Sequence, residues 1–199
     1  MNSLAIERRE SALTPLTTFV RNVTEIVENE VEDTALVGRL TPHLSRLIEH
    51  DDWLPEAFAQ PHPEYYQQYL LHCDPLERFS VVSFVWGPGQ KTPIHDHTVW
   101  GLIGMLRGAE ISTPYRSEAG TLIRGEPVRL TAGDVEPLLP ESGDIHQVEN
   151  AFQDQVSISV HVYGANIGKV QRHVFDRVTR VRKRFVSGFS ASITPNLWE

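Results

Sequence analysis

His95 and His97 stand two apart in the run TPIHDHTVWGLIGMLRG, residues 92–108. In an extended strand, residues two apart project from one face, so both imidazoles can converge on one point while Asp96 turns to the other face. Converging neutral imidazoles begin a transition-metal site, and iron and zinc both suit that ligand type. Alone the pair is a weak signal. A second series has the same geometry. In QVSISVHVYG, residues 155–164, Ser159, His161 and Tyr163 occur at i, i+2 and i+4. Hydroxyl, imidazole and phenol therefore share a face and can form a chain of hydrogen bonds. The same spacing also suits the polar outer face of an ordinary strand. The other histidines are blander: His43, His50, His62 and His72 lack partners at ligand spacing, and His173 points away from Arg172 in an extended segment.

Strands must hold both series, and the chain supplies them in its second part. From Arg78 onward, short β-rich runs alternate with turn residues: FSVVSFVW, VWGLIGMLRG, AEISTPYR, TLIRGEPVRL and QVSISVHVYG. Many short strands at this spacing suggest a sandwich or barrel. The first fifty residues read as helices. Thr14-Pro15 resembles an N-cap followed by proline, and Leu16, Phe19, Val20, Val23, Ile26 and Val27 recur at three- and four-residue spacing. A second helix is expected near Asp33 and a third from Thr41-Pro42, with Leu44, Leu47 and Ile48 facing inward. Residues 51–76, rich in proline and aromatics, read as a connection. One domain is expected over residues 1–199, helical to about residue 50 and a β-barrel from about 77 to 199. Trp100 and Met105 are expected in the barrel wall, and the basic cluster Arg177, Arg180, Arg182, Lys183 and Arg184 on a solvated face.

The spacing around the histidines resembles a known superfamily. Gly89, His95, His97, Gly101 and Gly108 follow the first signature of the cupins, small β-barrels that hold one metal inside. Gly133, Pro140, Gly143, His146 and Asn150 follow the second, with slightly longer proline and glycine spacing. The resemblance implies His95, His97 and His146 as ligands. Gly101 stands where most cupins place a glutamate ligand. Three neutral imidazoles leave a divalent ion with both its charges, which favours an anionic ligand such as a thiolate. A carboxylate from Glu110 is an alternative that needs a different register.

Within the cupins, the segment IHDHT, the His146 half-motif, the Ser159-His161-Tyr163 series and the tyrosine-rich YYQQY segment resemble the thiol dioxygenases of the cysteine dioxygenase family. The fold implied is mainly β, a cupin-type barrel with N-terminal helices packed outside. The cofactor implied is Fe(II), and the reaction is conversion of a small thiol to a sulfinic acid with O2. Tyr163 would hydrogen-bond to substrate or oxygen, oriented by His161 and Ser159. Mammalian-type members carry a cysteine near Gly101 that crosslinks to the tyrosine, and an arginine where this chain has Gln68. Glycine excludes that crosslink. Gln68 together with Arg172 resembles the bacterial subgroup that acts on 3-mercaptopropionate, which implies both as substrate-binding residues, with Arg172 on the carboxylate. L-cysteine is the alternative substrate. A non-catalytic cupin binding metal and a small anion is the alternative of another class, and a zinc cupin with isomerase or hydrolase activity a third.

Composition fits this reading. Hydrophobic residues make up 40% and charged residues 22%, a globular balance, and the net charge of −8 argues against nucleic acid as a partner. No apolar run is long enough to span a membrane. The N-terminal MNSLAIERRE lacks the pattern of a secretory signal, and the single cysteine, Cys73, fits a reducing cytoplasm.

Overall fold

A computed structural model describes residues 12–197. Residues 1–11 of the expected helical part lie outside that range. Two helices come first, α1 (Thr14–Asn29) and α2 (Asp33–Leu47). Leu16, Phe19, Val20, Val23 and Ile26 form one buried stripe on α1, and Leu36, Val37, Leu40, Leu44 and Leu47 form another on α2. Glu32 caps α2, its carboxylate accepting the N–H groups of Thr34 and Ala35 at 3.1 and 2.6 Å. The expected third helix is instead the second half of α2, with Pro42 inside it. Proline removes one helical hydrogen bond and crowds the residue four back.

Twelve strands follow: β1 (Gln67–Cys73), β2 (Ser80–Trp86), β3 (Ile94–His95), β4 (Gly101–Arg107), β5 (Ala109–Glu118), β6 (Thr121–Arg124), β7 (Val128–Thr131), β8 (Val135–Leu138), β9 (His146–Asn150), β10 (Ser157–Tyr163), β11 (Arg172–Phe175) and β12 (Arg182–Phe185). They build two sheets, one in the order β1-β2-β10-β4-β8, the other β12-β11-β3-β9-β5-β6 with β7 beside β5. The fold is the expected one, mainly β, a cupin-type barrel with helices outside. The strands start sooner than expected, because β1 takes the tyrosine-rich segment that read as a connection.

The helices change what a strand pattern means. Every residue of β2 and β10 is buried. Ile158, Val160 and Val162 of β10 join Val81, Val85, Leu102 and Leu106 in one core with the helix stripes. Tyr163 belongs to the other core, inside the barrel, with Val82, Phe84, Trp86, Ile103 and Met105. The polar series of β10 thus lines the interior, and the apolar positions face the helices. Each buried leucine or phenylalanine of a stripe contributes about 1.5–3 kcal/mol, so helix docking is a large part of what holds this sheet. Among the described residues no helix is long and apolar enough to cross a membrane.

Trp100, 6% exposed, packs where the chain leaves β10. Gly164 donates its N–H to the Trp100 carbonyl at 2.9 Å, and a Cβ at Gly164 would overlap the indole. Gly164→Ala is therefore expected to cost about 1–3 kcal/mol, the usual range for overpacking. In urea this should lower the midpoint with the slope unchanged. An unshifted midpoint would mean that the indole moves aside freely.

Candidate active site

His95 is the last residue of β3, paired with His146 at the start of β9. The strand ends there, so His97 is not carried on an extended strand as expected. A clamp positions it instead. The Asp144 carboxylate accepts the backbone N–H of His97 at 2.7 Å and of Thr98 at 2.8 Å, and Thr98 has φ 63°. The clamp holds His97 beside His95, their ring centroids 4.8 Å apart, and the left-handed turn at Thr98 redirects the chain beyond it. Asp96 faces away as expected, accepting the backbone N–H of His173 at 2.7 Å and meeting its Nδ1 at 2.8 Å. His173 is accordingly structural.

The structure brings His95, His97 and His146 together: one ring nitrogen from each lies within 4.8 Å of the other two. All three are buried, at 7%, 1% and 4% exposure. His95 Nδ1 sits 3.0 Å from the Pro93 carbonyl. A carbonyl only accepts, so this nitrogen carries the proton and Nε2 keeps its lone pair free. His146 Nδ1 lies 3.4 Å from Ser112 Oγ, and His97 Nδ1 is buried without a partner. Burial, first, holds His95 down to about 4, and burial with the repulsion of neighbouring rings keeps His97 and His146 well below their ordinary value. Three neutral imidazoles with free lone pairs are a donor set that fits a divalent transition ion. Glu110 lies outside this group, so the carboxylate alternative does not form. Gly101 pairs with Tyr163, and a Cβ there would lie 3.1 Å from Tyr163 Cδ1, which places the missing side chain beside the phenol ring.

The β10 series forms the expected chain. Ser159 Oγ lies 2.8 Å from His161 Nε2, and His161 Nδ1 lies 2.7 Å from the Tyr163 hydroxyl. Trp86 Nε1–H donates to Ser159 Oγ at 3.2 Å, and Phe84 stacks on the His161 ring at 4.1 Å. Burial pushes His161 down to about 3 and Tyr163 well above the usual phenol range, so both are neutral. The Tyr163 ring stacks on His97 at 5.4 Å, which sets the phenol beside the three histidines.

A cavity of about 430 Å³ opens against His95 and is lined also by Tyr66, Gln68, Phe84 and Arg172. Arg172 is 4% exposed, its Nη2 donating to Ser187 Oγ at 2.7 Å and its plane over the Phe185 ring at 4.7 Å. Its Nε is buried without a partner. Gln68 lines the same cavity, yet its amide nitrogen already donates to the Gly188 carbonyl at 2.8 Å. Its backbone also pairs with Ser190, so Gln68 fastens the C-terminal segment over the cavity. Sequence reasoning missed Asp144, Ser187 and Tyr66. Asp144 lies inside the second half-motif and Tyr66 inside YYQQY, where they could have been found. Ser187 carries no local signal.

Among solved structures, an uncharacterized conserved protein with a double-stranded β-helix domain from Klebsiella pneumoniae is similar with a TM-score of 0.46 at 19% identity, over 56% of this chain and 82% of that one. A cupin superfamily protein from Desulfitobacterium hafniense matches with a TM-score of 0.44 at 13% identity, over 57% of this chain and 90% of that one. Oxalate oxidase in complex with the substrate analogue glycolate gives a TM-score of 0.44 at 15% identity, over 59% of this chain and 61% of its own. The sequence comparison reaches further: the family model for cysteine dioxygenase type I matches residues 6–177. A match over that much of the chain establishes its kinship, and the protein belongs to the cysteine dioxygenase type I family.

Proposed function

We propose that the protein is an Fe(II)-dependent thiol dioxygenase that converts 3-mercaptopropionate, in preference to L-cysteine, to its sulfinic acid. The overall change takes a thiolate and O2 to a sulfinate, with both oxygen atoms on sulfur. His95, His97 and His146 would hold the iron, which would supply a meeting point for thiolate and triplet O2, while the four electrons that reduce O2 come from the sulfur itself. The protein's own residues do the rest. Arg172, which lines the cavity that opens on His95, draws the substrate carboxylate into it through its guanidinium. Tyr163, a neutral phenol, holds a proton beside the reacting sulfur and can donate it as a hydrogen bond where negative charge develops. His161 and Ser159 orient that hydroxyl. Phe84, Phe185 and Phe189 keep the cavity walls apolar, which strengthens each of these contacts.

The choice between thiols rests on one observation. Among the described residues, no aspartate or glutamate lines the cavity that holds Arg172 and His95. A substrate with thiolate and carboxylate finds cations at both ends, whereas the ammonium of L-cysteine would be desolvated without a counter-charge. An unpaired polar group of that kind costs about 1–3 kcal/mol, or roughly 10- to 100-fold in selectivity. A non-catalytic metal- and anion-binding cupin has no use for an oriented buried phenol, so the Tyr163 row supports the enzyme reading.

The test is oxygen uptake by iron-loaded protein with each thiol, and mass identification of the product. Sulfinate should form from 3-mercaptopropionate with kcat/KM at least about 10-fold above that for L-cysteine. No sulfinate from either thiol, with iron content verified, would end the reading. A reversed preference would end the substrate assignment alone.

A further inference from the structure

The hydrogen-bond row of β10 stops at Ser159 in the residues considered so far, and a buried acid lies next to it. Glu110 follows Ala109 on β5, and Ala109 is tied to β10 by both its backbone groups: its N–H donates to Ser157 Oγ at 3.1 Å, and its carbonyl accepts from the same hydroxyl at 3.0 Å. From this junction Glu110 reaches the neighbourhood of the Ser159 hydroxyl and the Trp86 indole N–H, both of which act on its carboxyl. Glu110 is fully buried, and its two carboxyl oxygens have no hydrogen bond of full strength, only the nearby Ser159 hydroxyl and Trp86 indole N–H. A buried carboxyl so weakly partnered is rare and costly, and it calls for a role.

We propose that Glu110 is a positioning residue that terminates the Ser159–His161–Tyr163 row and fixes its direction, so that the Tyr163 O–H points into the site. The argument is a count of donors and acceptors. Ser159 Oγ has two lone pairs and one hydrogen, and one lone pair takes the Trp86 N–H. A neutral Glu110 carboxyl offers its O–H to the other. Ser159 must then donate to His161 Nε2, His161 carries its proton on Nδ1 and donates to the Tyr163 oxygen, and the Tyr163 hydrogen is left for the site. An ionised Glu110 reverses every member. It would take the Ser159 hydrogen, His161 would move its proton to Nε2, and the Tyr163 O–H would turn back towards Nδ1.

The surroundings keep Glu110 neutral near pH 7. Burial, chiefly, and the Glu136 carboxyl of β8 push it up to about 8, against the Ser159 hydroxyl and the Trp86 indole N–H, which favour the anion. The titratable groups that act on this corner are Glu136 from β8 and, along β10, His161 and Tyr163, both neutral across this range. Glu110 sits on none of the elements that carry the three histidines, and the inference stands whichever metal or thiol they serve.

The experiment follows the His161 ring nitrogens by 15N–1H correlation in metal-free protein at pH 6.5 and 9.5, with His161→Asn used to identify the signals. In the unchanged protein His161 should carry its proton on Nδ1 at pH 6.5 and on Nε2 at pH 9.5, as Glu110 ionises between them. Glu110→Gln keeps an N–H donor but cannot ionise, so Nδ1–H should persist at both values. Glu136→Gln should keep the pH-dependent exchange. The same tautomer at both pH values in the unchanged protein would overturn the proposal, as would an exchange that survives in Glu110→Gln or disappears only in Glu136→Gln. None of these readings depends on oxygen uptake, so the row and the dioxygenase assignment can fail separately.

Discussion

His146→Ala protein is expected to leave iron reconstitution essentially empty, while Asp96→Asn protein, altered between the other two histidines, keeps its iron. The contrast follows from where the side chains point. Three ring nitrogens lie within 4.8 Å of one another, and among the described residues no carboxylate or thiol joins them. Removing one leaves two imidazoles in a buried site with no substitute. The loss should exceed the roughly 10- to 100-fold that follows from removing a supporting residue. Ser112→Ala supplies that supporting-residue case, because Ser112 stands against His146 Nδ1 and helps set its tautomer. Asp96 instead holds the backbone and ring of His173, so its amide should cost about 1–3 kcal/mol of stability and no iron. Metal content per chain after desalting decides the matter. Full occupancy in His146→Ala would remove it from the site, and an empty Asp96→Asn that is still folded would make the aspartate a ligand.

The same residues show how far the sequence could be read. Alternation along QVSISVHVYG placed Ser159, His161 and Tyr163 on one face, and they are hydrogen-bonded in that order. Alternation could not say which face is inside. A strand covered by helices on its outer side has no solvent face, so the polar side lies inward and the aliphatic side outward. His95 and His97 converge as expected, but by a different device, since the clamp by Asp144 replaces the second half of a strand. Pro42 lies inside α2, and a mid-helix proline and a helix-opening proline look alike in the sequence. Ser187 against Arg172 and Glu110 against Ser159 are products of closure of the barrel, and no local period encodes them.

Arg172→Met should raise KM for 3-mercaptopropionate by about 10²- to 10³-fold with a smaller change in kcat, the size expected when one partner of a desolvated charge pair is cut away. Arg172→Lys keeps the charge but loses the planar fork, and should fall between the two proteins. The free protein carries the opposite signature. Its guanidinium is 4% exposed, with one bond to Ser187 and a buried, unpartnered Nε. Such a cation is held at a cost in the absence of an anion, and burial pulls it below its ordinary pKa. Methionine of similar length removes that cost and can still pack on the Phe185 ring, so the variant should unfold at the same or a higher temperature. A site kept for an absent ligand loses binding and gains stability when it is filled with an apolar side chain. A structural arginine behaves the other way round. If Arg172→Met unfolds several degrees earlier while KM stays put, the guanidinium serves Ser187 and the C-terminal segment, and the substrate carboxylate must be sought elsewhere in the cavity.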